Sequence, residues 1–140
     1  MGFQKEEQQV ISDQAKSVKG KKTVIIGASD NPSRYAYLAA QRLSDKNHPI
    51  IPMGIRKGTV QGVEILDLRT RPEIKDVDTV TLYINPTHQQ EWESYILGLK
   101  PKRIIFNPGT ENPELAAKAG KQGIETENAC TLVLLSIGNY

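Results

Sequence analysis

Residues Thr23–Ala40 read TVIIGASDNPSRYAYLAA: an apolar β-branched run, one glycine, then a segment with helical spacing. Val and Ile closed by Gly mark a buried strand, and Ala36, Ala39 and Ala40 share one side of the helix that follows. Strand, sharp turn and helix form the opening unit of a doubly wound sheet, whose first turn is a site for phosphate. A dinucleotide fingerprint carries three glycines here, whereas this chain has Gly27 alone. Gly27 serves the turn, and the alanines allow the close helix packing that a third glycine ordinarily provides. The helix is expected to begin near Pro32. Backbone N–H groups of Ala28 and Ser29, with the hydroxyls of Ser29 and Ser33, would then face an anion. One glycine is also compatible with a turn that binds nothing.

The alternation continues outward from this stretch. After the helix come PIIPMG (49–54), GVEIL (62–66) and TVTLYIN (79–85) as strands, and THQQEWESYILGL (87–99) as a helix. KRIIFN (102–107), PELAAKAGKQ (113–122) and GIETE (123–127) follow as strand, helix and strand before an apolar end. Continuous apolar strands separated by helices imply parallel βαβ units. The expected fold is α/β: a Rossmann-like, mostly parallel sheet of five or six strands with helices on both faces. Residues 1–21 read as a polar leader with Phe3, Val10, Ile11, Ala15 and Val18 at roughly helical spacing, and residues 22–140 as the domain.

Asn-Pro occurs four times, at Asn31-Pro32, Asn85-Pro86, Asn107-Pro108 and Asn112-Pro113. Asn caps a helix well and Pro suits its first position, so three of the pairs are expected to open helices. Loops after parallel strands gather at the carboxyl edge, where open α/β sheets bind ligands. An NAD site wants an acid at the end of the second strand. This chain has Arg56 and Lys57 there instead, which suits a phosphate on the ribose, as in NADP or coenzyme A, or a solvated turn.

Composition narrows the classes. A chain of 140 residues, 38% hydrophobic and 24% charged, is sized for one domain with a core. The first 22 residues carry a net charge of +2, and Thr23–Tyr140 balances 13 basic with 13 acidic side chains. No basic run is interleaved with aromatics, so nucleic acid is not an expected partner. The single cysteine, Cys130, excludes an internal disulfide, and no CxxC or His cluster suggests a metal. The start lacks an apolar run or a myristoylation motif, and TLVLLSIG (131–138) is too short for a bilayer. Cytoplasm is the expected compartment. Leu132, Val133, Leu135 and Ile137 are too apolar for a free tail, so the end is expected to dock on the sheet or across a homodimer.

Several segments in order, VIIGASDNPSRYAYLAAQRL, IIPMGIRKGTVQGVEIL, DTVTLYINP, RIIFNPGTEN and GIETENACTLV, resemble the small stand-alone CoA-binding domain family. That family is similar to the CoA-binding domain of succinyl-CoA synthetase α subunits. The resemblance covers about Lys22 to Leu135 and implies a Rossmann-like sheet with CoA across the strand ends. It matches Gly27, Ala28 and Ser29 to the family's phosphate loop and Arg34 to its first-turn arginine. The loop after the fifth strand corresponds to Asn107, Pro108 and Gly109, and the family's late cysteine to Cys130. Where the family commonly has Val-Asn-Pro and a lysine, this chain has Pro52, Met53 and Gly54, then Arg56 and Lys57.

Other residues invite chemistry less. His48 precedes the second strand, at the far edge, and reads as a surface residue. His88, at a helix start, reads as solvated. Cys130 reads as a buried small hydrophobe, and Trp92, Tyr95 and Leu99 as core. The expectation is a non-catalytic CoA or acyl-CoA binding protein. Its candidate contacts are Gly27, Ala28, Ser29, Asn31, Ser33, Arg34, Pro52, Arg56, Lys57, Asn85, Pro86, Asn107, Pro108 and Gly109. The alternatives are an NADP-binding oxidoreductase, a partner subunit of an acyl-CoA ligase, or a scaffold whose cleft has lost its ligand.

Overall fold

The computed structural model describes residues 20–140, so most of the expected leader lies outside the described residues. The strands are β1 (Thr23–Ile26), β2 (Ile50–Gly54), β3 (Thr59–Val60), β4 (Val63–Glu64), β5 (Leu66–Asp67), β6 (Thr79–Leu82), β7 (Arg103–Phe106) and β8 (Glu125–Asn128). The helices are α1 (Tyr35–Asp45), α2 (Pro86–Gln89), α3 (Glu93–Gly98), α4 (Pro113–Lys121) and α5 (Thr131–Ser136). Six strands form one sheet in the order β5-β2-β1-β6-β7-β8, every neighbour parallel, as the alternation implies.

Side chains alternate across a strand, and two cores result. Val24, Ile26, Val80, Leu82, Ile104 and Phe106 meet Trp92, Ile96 and Leu99 around α3, with Leu115 and Ala119 of α4. Ile25 and Ile50 face the other way, against Ala36, Ala40 and Leu43 of α1 and Leu135 of α5. The helices therefore cover both faces.

Four local expectations are corrected. The segment 62–66 is two strands: β4 turns back on β3 through Gln61 and Gly62, both at positive φ, and β5 pairs with β2. Two consecutive left-handed residues favour a tight hairpin there over a continuous strand. The segment 87–99 is broken by a 3₁₀ turn at Gln90–Trp92 between α2 and α3. The apolar end is corrected only in extent: it docks through Leu135 as expected, while Val133 and Ile137 stay exposed on the single chain. His48 is half-buried and acts as an acceptor, its Nδ1 taking the Lys21 N–H at 2.8 Å, with its ring edge-on to Tyr140 at 4.7 Å between centroids. Trp92 and Leu99 are buried as expected, and the Tyr95 hydroxyl donates to the Pro72 carbonyl.

Pro52 stands inside β2, where a missing N–H is ordinarily costly. Pro49 and Met53 carbonyls accept from β1, so odd-numbered residues of β2 face that neighbour. Pro52 faces the opposite side, and β5 reaches only Met53 and Gly54, so the absent donor falls on free edge.

Candidate functional site

The chain leaves β1 toward β2 and β5, then returns to lay β6 on the other side of β1. At that reversal the loops after β1 and β6 leave the sheet side by side, and in an open α/β sheet this stretch of the carboxyl edge is the crevice where ligands bind.

Gly27 sits at its base with φ 95°. A Cβ there would lie 2.9 Å from Ile84 Cγ2 and 3.1 Å from the Tyr83 carbonyl carbon, so the loop is held against the end of β6. On the other side the N–H groups of Gly27 and Ala28 both donate to the Met53 carbonyl at 2.9 Å. The Ala28 N–H, expected to face an anion, is therefore spent on β2. Among the described residues no acceptor meets the N–H of Ser29 or Asp30. Ser29 Oγ accepts from the Asn31 N–H at 3.0 Å, which leaves its own hydrogen to give.

α1 begins at Tyr35 rather than Pro32, with Arg34 as its extended N-cap. Asn31 instead closes a turn of its own. Its Oδ1 accepts from the Ser33 N–H at 3.0 Å and the Ser33 hydroxyl at 2.8 Å, and its carbonyl accepts from the Arg34 N–H at 3.0 Å. A short polar side chain bonding to its own backbone two residues on competes with helix, and here it delays the helix by three residues. The other two caps hold: Asn85 Oδ1 accepts from the His88 N–H at 3.0 Å and Asn112 Oδ1 from the Leu115 N–H at 3.1 Å, with Pro86 and Pro113 at the first position.

The basic pair stands close by. A Cβ on Gly54 would lie 2.9 Å from the Ala28 carbonyl oxygen, and one on Gly58 2.6 Å from Asp30 Oδ2. The segment 54–58 thus touches the β1 loop at both ends, which sets Arg56 and Lys57 beside it. Both are exposed and, with Arg34, enter no ion pair among the described residues. Asp67 pairs with Arg69 at 3.0 Å, which holds its carboxyl below the usual range, and Arg69 also reaches the Ile55 carbonyl.

The remaining expected contacts divide. Pro108 and Gly109 are exposed after β7, and after β6 Asn85 is exposed and Pro86 half-buried. Pro52 is buried inside β2, away from the edge. Asn107 is buried, and its polar groups are engaged: Nδ2 donates to Thr81 Oγ1 at 2.7 Å and the Leu82 carbonyl at 2.9 Å, and Oδ1 accepts from the Thr131 N–H at 2.8 Å. It ties β6, β7 and α5 together. His88 is exposed and Cys130 half-buried.

The sequence reading passed over Asp30, Gly54, Gly58, Tyr83 and Gln89. The spacing of Gly54 and Gly58 around a basic pair was a visible signal; for Tyr83 and Gln89 there was none. Burial pushes the pKa of the Tyr83 hydroxyl up, and it lies near Thr81 and Thr131, which bond each other at 2.8 Å. Among the described residues it makes no hydrogen bond of its own. A groove of about 740 Å³ lies at the opposite, amino edge, among Lys22, Lys75, Val77 and Lys100, facing away from the crevice. Among the described residues no helix is long and apolar enough to cross a membrane, and no His, Cys, Asp and Glu group could hold a metal.

Similarity to known structures agrees with this architecture. An uncharacterised protein of known crystal structure is 55% identical with a TM-score of 0.83, over 86% of this chain and 98% of its own. A protein from Pyrococcus horikoshii OT3 is 22% identical with a TM-score of 0.70, over 86% of this chain and 84% of that one. A third, from Thermus thermophilus, is 20% identical with a TM-score of 0.71, over 95% and 98%. The last two share the fold alone. No curated protein matches the chain. Residues 21–136 match the family model described as the CoA binding domain, which spans the sheet and every crevice loop just described, and the chain belongs to that family.

Proposed function

We propose that this protein is a non-catalytic binder of CoA or an acyl-CoA, held across the carboxyl edge with its pyrophosphate at Gly27-Ala28-Ser29. The match of residues 21–136 to the CoA binding domain carries the reading. Local chemistry supports it. Gly27 and Gly54 keep the loop low, and Ser29 and Asp30 keep free N–H groups above it. Arg34 stands at the start of α1, and the exposed Arg56 and Lys57, beside the β1 loop, are the groups to meet the ribose 3′-phosphate of CoA on this reading. Asn85 and Pro86 form the far lip, with Pro108 and Gly109 beyond. Asn31 and Ser33 shape the loop rather than touch the ligand, and Asn107 and Pro52 act from within the sheet.

A charge-assisted phosphate contact contributes roughly 1.5–3 kcal/mol, or about 10- to 150-fold in affinity. Calorimetric titration is expected to show CoA binding more tightly than dephospho-CoA. Changing Arg56 and Lys57 together to Ala should remove that preference and leave dephospho-CoA binding nearly unchanged. Tighter binding of NADP than CoA, or a double variant that still prefers CoA, would overturn the assignment. Turnover of CoA thioesters by the wild-type protein would overturn its non-catalytic part.

A further inference from the structure

Gln89, in α2, has no exposed surface. An amide is tolerated so deep only when its polar groups are used, and here each is. Nε2 donates to the carbonyls of Ile84 at 2.9 Å and Thr110 at 2.8 Å, and Oε1 accepts from Asn112 Nδ2 at 2.8 Å. Ile84 belongs to the loop leaving β6 and Thr110 to the loop leaving β7. One side chain therefore fastens two neighbouring loops of the carboxyl edge. Ile84 is also the residue whose Cγ2 walls Gly27. The chain of bonds continues outward, since Asn112 Oδ1 caps α4 and Glu93, beside Asn112 Nδ2, holds Lys118 at 2.8 Å.

An apolar side chain of the same size would leave the buried Thr110 carbonyl and the half-buried Ile84 carbonyl without donors, and such groups move toward water. We propose that Gln89 is the positioning residue of the crevice: its paired hydrogen bonds hold the Ile84–Asn85 lip against Gly27 at the height that the ligand requires. The proposal rests on the CoA reading above. It places an affinity determinant beneath the site, on a residue that touches no ligand.

Gln89→Leu removes both donors at similar volume. The dissociation constants of CoA and dephospho-CoA are expected to rise together by about tenfold. Their ratio should hold, because Arg56 and Lys57 lie on the opposite lip. Amide hydrogen exchange should quicken in residues 83–85 and 107–110 and stay unchanged along β2. Losing buried bonds also lowers stability, so Val77→Ala, a core truncation at the amino end of β6, provides a destabilised control whose affinities should match wild type. Gln89→Asn, too short to reach both carbonyls, gives the same reading if the leucine variant does not fold. Wild-type CoA affinity in a folded Gln89 variant, or equal weakening in Val77→Ala, overturns the proposal. If the wild-type protein binds no CoA, the CoA reading fails by itself and exchange decides. Faster exchange confined to the two loops then supports positioning, and unchanged protection there overturns it.

Discussion

At Gly27 the backbone takes φ 95° with Ile84 Cγ2 2.9 Å from the site of a Cβ, and at Gly54 the Ala28 carbonyl oxygen stands equally near. Gly109 also has positive φ, 93°, but open space around it. The contrast separates two costs, backbone strain and collision. Gly109→Ala bears strain alone, of about 1 kcal/mol. Gly27→Ala bears strain and collision, and Gly54→Ala a collision with backbone that cannot swing aside, so each is expected to lose about 1–3 kcal/mol. Urea unfolding midpoints check the order, and a Gly109 variant as unstable as the Gly27 variant would contradict it. Gly27 was legible in sequence because a turn directly after a strand is a local event. At Gly54 the sequence offered only its spacing beside a basic pair; the constraint itself comes from Ala28, which only strand pairing brings against it.

The stretch after α5 illustrates what a single element contributes. Leu135 is buried against α1, and the chain then carries Tyr140 to the amino edge. There its hydroxyl meets Thr23 Oγ1 at 2.6 Å, Arg103 lies 4.5 Å from its ring centroid, and Lys21 Nζ bonds its carbonyl at 2.7 Å. His48 completes the cluster by accepting the Lys21 N–H, which requires a neutral ring. Burial, then the charges of Lys21, Arg103 and Lys46 against a smaller pull from Asp78, lower its pKa below 6.5. A lowered pKa means that folding favours the unprotonated ring. The contribution is therefore complete above pH 6.5 and is lost as pH falls through the folded value. Stability measured by urea unfolding is expected to decline on going from neutral pH to pH 5, and His48→Gln to flatten part of that decline. An identical decline in the variant would show that other groups are responsible.

Over the whole molecule, charge and fold answer to different ranges of interaction. Thr23–Tyr140 is charge-balanced, so attraction for a phosphate ligand is a local matter of Arg34, Arg56 and Lys57 rather than of a net field. Exposed cations are screened by salt, so CoA affinity is expected to fall with added salt, and dephospho-CoA affinity to fall less. Equal salt slopes in titrations of the two ligands would count against a separate 3′-phosphate contact. The fold class, five of the six parallel strands and the alanine face of α1 were legible in sequence. Each follows from periodicity and turn chemistry within about a dozen neighbouring residues, where burial leaves a direct trace. Tertiary structure alone decided that the Ala28 N–H belongs to Met53, that Asn107 ties strands instead of facing the crevice, and that Gln89 clasps two loops. A polar group takes whichever partner lies nearest in space. For Ala28, for Asn107 and for the bonds of Gln89 to Thr110 and Asn112, that partner comes from more than twenty residues away, beyond the reach of any local pattern.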